Sequence, residues 1–328
     1  MDFLFLFSAI LIYLYAFVSG FTDAAQAIAS AIGSRSLSPT QAIIIASIME
    51  IIGALTGTAV AITIGKGIVS IEMISLVTVP SAILGCLTWS LICYKFGIPV
   101  SETHGLIGAL IGASLAISRN INVINYRGLI PILLAIIIAP VLGFVGGYIM
   151  MKSVYFLFQS FPAKKMKYIF INLQRIASAY FSFSHGRNDA QKPMGMLLML
   201  LMLYYGWKEV IVPYWVIISV GIVAGLGVAY GGWRIIKTLG MRITKLTPEQ
   251  GFISDFSGAN VLQLASQFGI PVSTTHVDAS SVFGVGAARR ISGVRWEIVT
   301  EILISWILTL PLTIIFGIIF GYFMNLLF

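Results

Sequence analysis

The stretch Phe96-Gly97-Ile98-Pro99-Val100-Ser101-Glu102-Thr103-His104 recurs as Phe268-Gly269-Ile270-Pro271-Val272-Ser273-Thr274-Thr275-His276, with eight of nine positions identical and a spacing of 172 residues. A near-copy of this length marks an internal duplication of the 328-residue chain. Both copies keep a helix-breaking Gly and Pro, then hydroxyls and a His. In an apolar chain such polar groups are costly unless they are used.

The surroundings are apolar throughout. Hydrophobic residues make up 58% of the chain and charged residues 10%, with a mean hydropathy of +0.97. Soluble domains carry about 25% charged residues. Apolar runs of spanning length recur at about 3–32, 40–65, 74–97, 99–118, 128–150, 176–206, 213–234, 252–269, 271–288 and 296–326,. The chain reads as an all-α polytopic membrane protein in a lipid bilayer. The longest polar stretch is about 237–250, so no soluble domain is expected. Asp2 and the lack of a basic leader mark the first apolar run as a true span, not a cleaved signal,. Cys86 and Cys93 share a helical face and read as packing residues,. The net charge of +8 fits loop Lys and Arg under the positive-inside rule,. No basic-aromatic interleaving points to nucleic acid.

The 99–118 and 271–288 pieces are short, rich in small residues, and begin just after the Gly-Ile-Pro break. They read as parts of broken or re-entrant helices, packed where protein satisfies the interrupted backbone. A second pair of polar sites opens each half: Gly20-Phe21-Thr22-Asp23-Ala24-Ala25-Gln26-Ala27, and Gly186-Arg187-Asn188-Asp189-Ala190-Gln191-Lys192. The expected organisation is a first transmembrane repeat at 1–150, a basic cytoplasmic linker at 151–164 and a second repeat at 165–328. Ten crossings place Arg35, Lys152, Lys164, Lys165, Lys167, Arg175, Arg234, Lys237, Arg242, Lys245, Arg289, Arg290 and Arg295 on one side. Only Lys66, Arg119, Arg127 and Lys208 fall on the other. The rich side is expected to be cytoplasmic, with both termini outside the cell membrane. Five crossings per repeat make the two repeats inverted, as in secondary transporters.

The chemistry follows from the residue types. A Pro suits the first turn of a helix, and the free N–H groups after it point outward. With Ser101, Thr103, Ser273 and Thr275 beside them, these helix starts form an anion site. Two inverted copies would aim both at one small oxyanion near the midplane. Asp23 and Asp189 are flanked by Thr22 and Gln26, and by Asn188 and Gln191. Such oxygen donors suit Na⁺, or a carboxylate that exchanges protons. A carboxylate that has taken up either no longer repels an anion, which is a physical basis for symport. His104 and His276 are open to roles as hydrogen-bonding posts, proton carriers or metal ligands, with a satisfied structural role expected first. No metal-site motif and no nucleophile–base set accompanies them, so neither an enzyme nor a cofactor is expected. Glu50 lies mid-segment, open to a functional or a pairing role.

These residues resemble the inorganic phosphate transporter family of the Pit type. That family carries two Gly-Ala-Asn-Asp-Val-Ala-Asn-Ala-like motifs and two Pro-Val-Ser-x-Thr-His segments. Ser184 through Lys192 is similar to the second motif and Gly20 through Ala27 to the first. Thr22 and Gln26 stand where the family usually has Asn, and Glu102 where Thr is usual. Arg35-Ser36-Leu37-Ser38-Pro39 and Leu246 through Phe252 also look like family segments. The resemblance implies two inverted repeats, often in a homodimer. It places phosphate at Ser101, Glu102, Thr103, His104, Ser273, Thr274, Thr275 and His276, with Asp23 and Asp189. It places the cation among Thr22, Asp23, Gln26, Asn188, Asp189, Gln191, Ser101 and Ser273. The implied activity is phosphate import by symport with Na⁺ or H⁺. A sulfate symporter on the same scaffold and an anion channel are the alternatives.

Overall fold

The computed structural model describes residues 2–328 except 233–235 and 237–244. Its helices are α1 (Asp2–Gly33), α2 (Pro39–Ala54), α3 (Ala59–Lys66), α4 (Thr78–Phe96), α5 (Glu102–Ser118), α6 (Tyr126–Leu157), α7 (Ala163–Asp189), α8 (Gln191–Tyr205), α9 (Tyr214–Tyr230), α10 (Pro248–Gln267), α11 (Thr274–Arg289) and α12 (Trp296–Leu327). Among the described residues the only extended pairing is one bridge, Val69 to Ile124. α1, α4, α6 and α12 are each long and apolar enough to cross a bilayer. α2 and α3 reach spanning length and apolarity only as a pair, bent by 68° at their break, the geometry of a broken span or of a re-entrant loop.

The repeated nonapeptide folds the same way twice. Gly97 ends α4 at φ 69°, and Gly269 follows α10 at φ 67°. This left-handed backbone costs an L side chain about 1–2 kcal/mol, so glycine stands there. It lets Ile98 N–H reach Cys93 O at 3.0 Å and Ile270 N–H reach Ala265 O at 2.9 Å, closing both helix ends,. Ser101 and Ser273 then start α5 and α11 as N-caps. Their Oγ atoms accept from His104 N–H at 3.1 Å and His276 N–H at 3.2 Å,. A further shared box opens α2 and α10: Ser38 with Gln41, and Thr247 with Gln250, each followed by Pro at the first helical position,.

The packing is reciprocal between the halves. α5 lies against α12, and α11 lies against α6. α2 packs on α7, and α1 on α9. Small residues allow these approaches, as lipid-embedded helices require. A Cβ on Gly317 would meet the Ala109 carbonyl carbon at 2.9 Å, and one on Gly147 would meet Ser281 O at 2.8 Å. Outward faces stay apolar, with Ile137 on α6 and Ile307 on α12 exposed.

Several segment boundaries differ from the sequence expectation. The run at 40–65 is not continuous but breaks at 55–58, between Gly53 and Thr58. The run at 176–206 splits at Ala190, because Pro193 has no N–H to give the Asp189 carbonyl,. Its first part starts much earlier, at Ala163. α6 continues through Leu157, leaving 158–162 as the connection within the expected linker. Phe3 and Phe328 stack at 6.1 Å, so the two ends of the chain lie together. At another face Arg175 Nε donates to Ser36 O at 3.0 Å, and Arg35 and Lys167 line a common cavity. Arg234, Lys237 and Arg242 lie outside the described residues.

Candidate functional site

The two nonapeptides meet. Thr103 Oγ1 donates to Val272 O at 2.7 Å, and Thr275 Oγ1 donates to Val100 O at 2.8 Å. Donors and acceptors are related by the same 172-residue offset in both directions. The starts of α5 and α11 are therefore stapled across a local pseudo-two-fold. The His104 and His276 rings sit 4.5 Å apart, and His276 also stacks on Trp306 at 3.7 Å. Both Nε2 atoms are buried without a hydrogen-bond partner.

The Asp motifs converge on this pair. Gln26 Nε2 donates to Asp23 Oδ1 at 2.8 Å and to Thr275 Oγ1 at 2.6 Å. Thr274 Oγ1 donates to Asp189 Oδ2 at 3.0 Å. Thr22 Oγ1 donates to Glu102 Oε1 at 3.2 Å, and Ser90 Oγ to Glu102 Oε2 at 2.8 Å. Lys192, 1% exposed, places Nζ 2.8 Å from Asp189 Oδ2. Its charge also acts on Asp23 and Glu102. Three buried carboxylates, Asp23, Glu102 and Asp189, thus stand near one buried ammonium, which contacts Asp189.

The donor set fits a hard cation. Ligand atoms of Asp23, His185 and Asp189 lie within 4.8 Å of one another. Asp23 Oδ2, Gln26 Oε1, Asn188 Oδ1 and Asp189 Oδ1 are all buried without a hydrogen-bond partner. Buried oxygens are seldom left so unless something else binds them. Four orphaned oxygens suit Na⁺, whereas the single imidazole gives no thiolate- or imidazole-rich metal set.

Two expectations need redrawing. Gln191 does not join the carboxylates. Its Oε1 accepts from Val60 N–H at 2.8 Å and Ala61 N–H at 3.1 Å, capping α3 after the break. Asn188 Nδ2 donates to Ser266 Oγ at 2.9 Å, while its Oδ1 is buried without a partner. One pair escaped the sequence reading. Glu50 Oε2 lies 2.8 Å from His185 Nδ1, and His185 Nε2 lies 3.4 Å from Asp189. Glu50 is therefore joined to the site through His185. Asp255 is bonded by Ser30 and by Gln174 Nε2, and Asn260 by Tyr180 and the Phe256 carbonyl.

A profile of the phosphate transporter family matches residues 19–317. The chain belongs to the phosphate transporter family. It is 39% identical over 318 residues to a probable low-affinity inorganic phosphate transporter of Bacillus subtilis, covering 95% of this chain and 94% of that one. A Rhizobium meliloti protein of the same description is 39% identical over 297 residues, covering 90% and 89%. Among solved structures, one described as the sodium-dependent phosphate transporter superposes with a TM-score of 0.92 at 28% identity, covering 100% of both chains. The family is one of multi-pass transporters and not of enzymes, in agreement with the sequence reading.

Proposed function

We propose that this member of the phosphate transporter family imports inorganic phosphate by symport with a cation, Na⁺ foremost. The observation that carries the reading is the stapled pair of helix starts beside a set of orphaned, acid-rich oxygens. The N–H groups of Glu102 and Thr103 in α5 and of Thr274 and Thr275 in α11, by position, make no intrahelical bond, whereas those of His104 and His276 are taken by the Ser caps,. They and the Ser101 and Ser273 hydroxyls present donors to an anion, reinforced by two dipole ends. Phosphate at neutral pH both donates and accepts, so a carboxylate can accept from it. Sulfate offers no such hydrogen.

A phosphate dianion beside Asp23, Asp189 and Glu102 is opposed by their charge. A Na⁺ on the orphaned oxygens of Asp23, Gln26, Asn188 and Asp189 removes part of that opposition. Anion and cation then strengthen each other's binding by the same factor. In this reading residues 1–150 and 165–328 are inverted repeats, and alternating exposure rocks them about the shared site. The face bearing Arg35 and Lys167 lies in the cytoplasm, with the chain ends outside.

Uptake of labelled phosphate and sulfate into proteoliposomes, under imposed Na⁺ and pH gradients, tests this. Phosphate accumulation against its gradient with inward Na⁺ is expected. Accumulation driven by pH alone would assign H⁺, preferential sulfate uptake would assign the sulfate reading, and downhill flux with no cation response would replace the symporter with a channel.

A further inference from the structure

On the basic face lies a cavity of about 420 Å³, lined by Lys245, Gln250, Arg289, Arg290, Ser292 and Arg295 among others. Four of its lining residues are fully cationic and none is acidic. No ion pair among the described residues uses any of the four. A charge bias toward one membrane side explains cationic loops in general. It does not explain four cations gathered around one concavity, where they repel each other. A cleft of one sign concentrates field and draws in counter-charge.

The cavity is also built. Gln250 is buried, and its Nε2 donates to Val285 O at 3.3 Å while its Oε1 accepts from Thr247 N–H at 3.1 Å. This ties the start of α10 to the end of α11. Arg290 N–H donates to Gly286 O at 3.1 Å, and Gly293 N–H to Arg290 O at 2.9 Å. The arginines therefore stand on an ordered turn. Guanidinium forks match the paired oxygens of a phosphate group. The volume falls within the range of about 300–1,000 Å³ usual for small-molecule sites. That leaves room for a phosphate group together with a substituent.

We propose that this cavity binds a phosphate-bearing polyanion and that its occupancy slows transport. The site is separate from the core. α11 has 16 residues between the Ser273 cap and Arg289, a length of about 24 Å,. Yet it is mechanically joined to the core, because α11 begins at the substrate segment and the arginine turn leads into α12, which packs on α5. An anion here ties the α10–α11 hairpin, which packs on α6, to α12, which packs on α5, and so stiffens the contacts between the two halves that rocking has to change. Two sources carry this chemistry: a soluble diphosphate or phosphate ester, and the headgroup of an anionic phospholipid. The inference does not depend on which ion drives the core site.

The test uses the full-length protein in nanodiscs, with saturating orthophosphate and Na⁺ to fill the core. Inorganic pyrophosphate is titrated by calorimetry. Arg289→Gln/Arg290→Gln/Arg295→Gln should weaken its binding at least tenfold, while Ser101→Ala/Ser273→Ala should leave it unchanged. Pyrophosphate on the basic side should lower phosphate uptake by the parent protein and not by the triple variant. If phosphatidylglycerol in the nanodisc competes with pyrophosphate, the lipid headgroup is the natural occupant; if it does not, the soluble anion is. Should the triple variant not fold, Lys245→Gln/Arg295→Gln is measured in its place. Equal pyrophosphate affinity in parent and cavity variants, or no binding of either probe by the parent, overturns the proposal.

Discussion

Asp23→Asn separates the cation site from the fold more cleanly than any other single change. Asp23 Oδ1 accepts from Gln26, Oδ2 is unpartnered, and no ammonium bonds it directly. Asn keeps the shape and the acceptor oxygen and removes the charge. The fold should lose little, because no buried cation is stranded. The cation should lose much. A unit charge about 4 Å away at an effective dielectric constant of about 20 is worth about 4 kcal/mol. At about 1.4 kcal/mol per decade this is roughly a thousandfold in Na⁺ affinity. Asp189→Asn makes the contrast. It strands Lys192, and breaking a buried pair costs about 3–5 kcal/mol, so this variant should be hard to isolate unless paired with Lys192→Met,. The assay is phosphate uptake into proteoliposomes as a function of external Na⁺, with thermal melting as the control for folding. Asp23→Asn should melt within a few degrees of the parent and show no saturable Na⁺ dependence. A parent-like Na⁺ titration in a well-folded Asp23→Asn protein would refute the reasoning.

Gln26→Lys copies the Lys192 arrangement onto Asp23 and should make phosphate binding insensitive to Na⁺, read by calorimetry with and without the ion. Ser101→Ala/Ser273→Ala removes two caps at about 1 kcal/mol of stability each, together with two hydroxyl donors to the anion at about 1.5–3 kcal/mol each. Phosphate affinity should fall at least a hundredfold in calorimetry while melting shows a smaller loss. Gly269→Ala puts a side chain at φ 67° with its Cβ 3.2 Å from Ala59 O, so chemical denaturation should show a loss of about 1–2 kcal/mol,.

The nonapeptide repeat made the centre of the fold legible, because Gly at a left-handed position, Pro and a Ser cap are local devices. Their partners lie within a few residues, and sequence shows them directly. The broken runs were harder. An apolar stretch reads as continuous on hydropathy, and the signals at Gly53, Gly57 and Pro193 were outweighed by length. Long-range commitments were not legible at all. Gln191 caps a helix start 131 residues before it, and Glu50 meets His185 at a separation of 135. A polar residue beside an Asp looks like a cation ligand until the structure shows which other polar group has claimed it.

The repeat also hides an asymmetry that bears on coupling. Gln26 and Lys192 are equivalent at the same offset as Asp23 and Asp189, and each reaches its Asp at 2.8 Å from three residues away. One is neutral and the other charged. Glu102 and Thr274 are equivalent as well, and here acid and hydroxyl have traded places. Thr22 donates to Glu102 in the first half, whereas Thr274 donates to Asp189 in the second. Beside the helix starts the first half therefore places Asp23 and Glu102 with no ammonium, and the second places Asp189 against Lys192. A symmetric pair of helix starts suits an anion on the axis, but a mobile cation is drawn to the half without a resident one. Lys192 already supplies the second half with the charge that Na⁺ would bring to the first. On this argument we propose that a single coupling cation sits at Asp23, with Asp189 lending an oxygen and not its full charge.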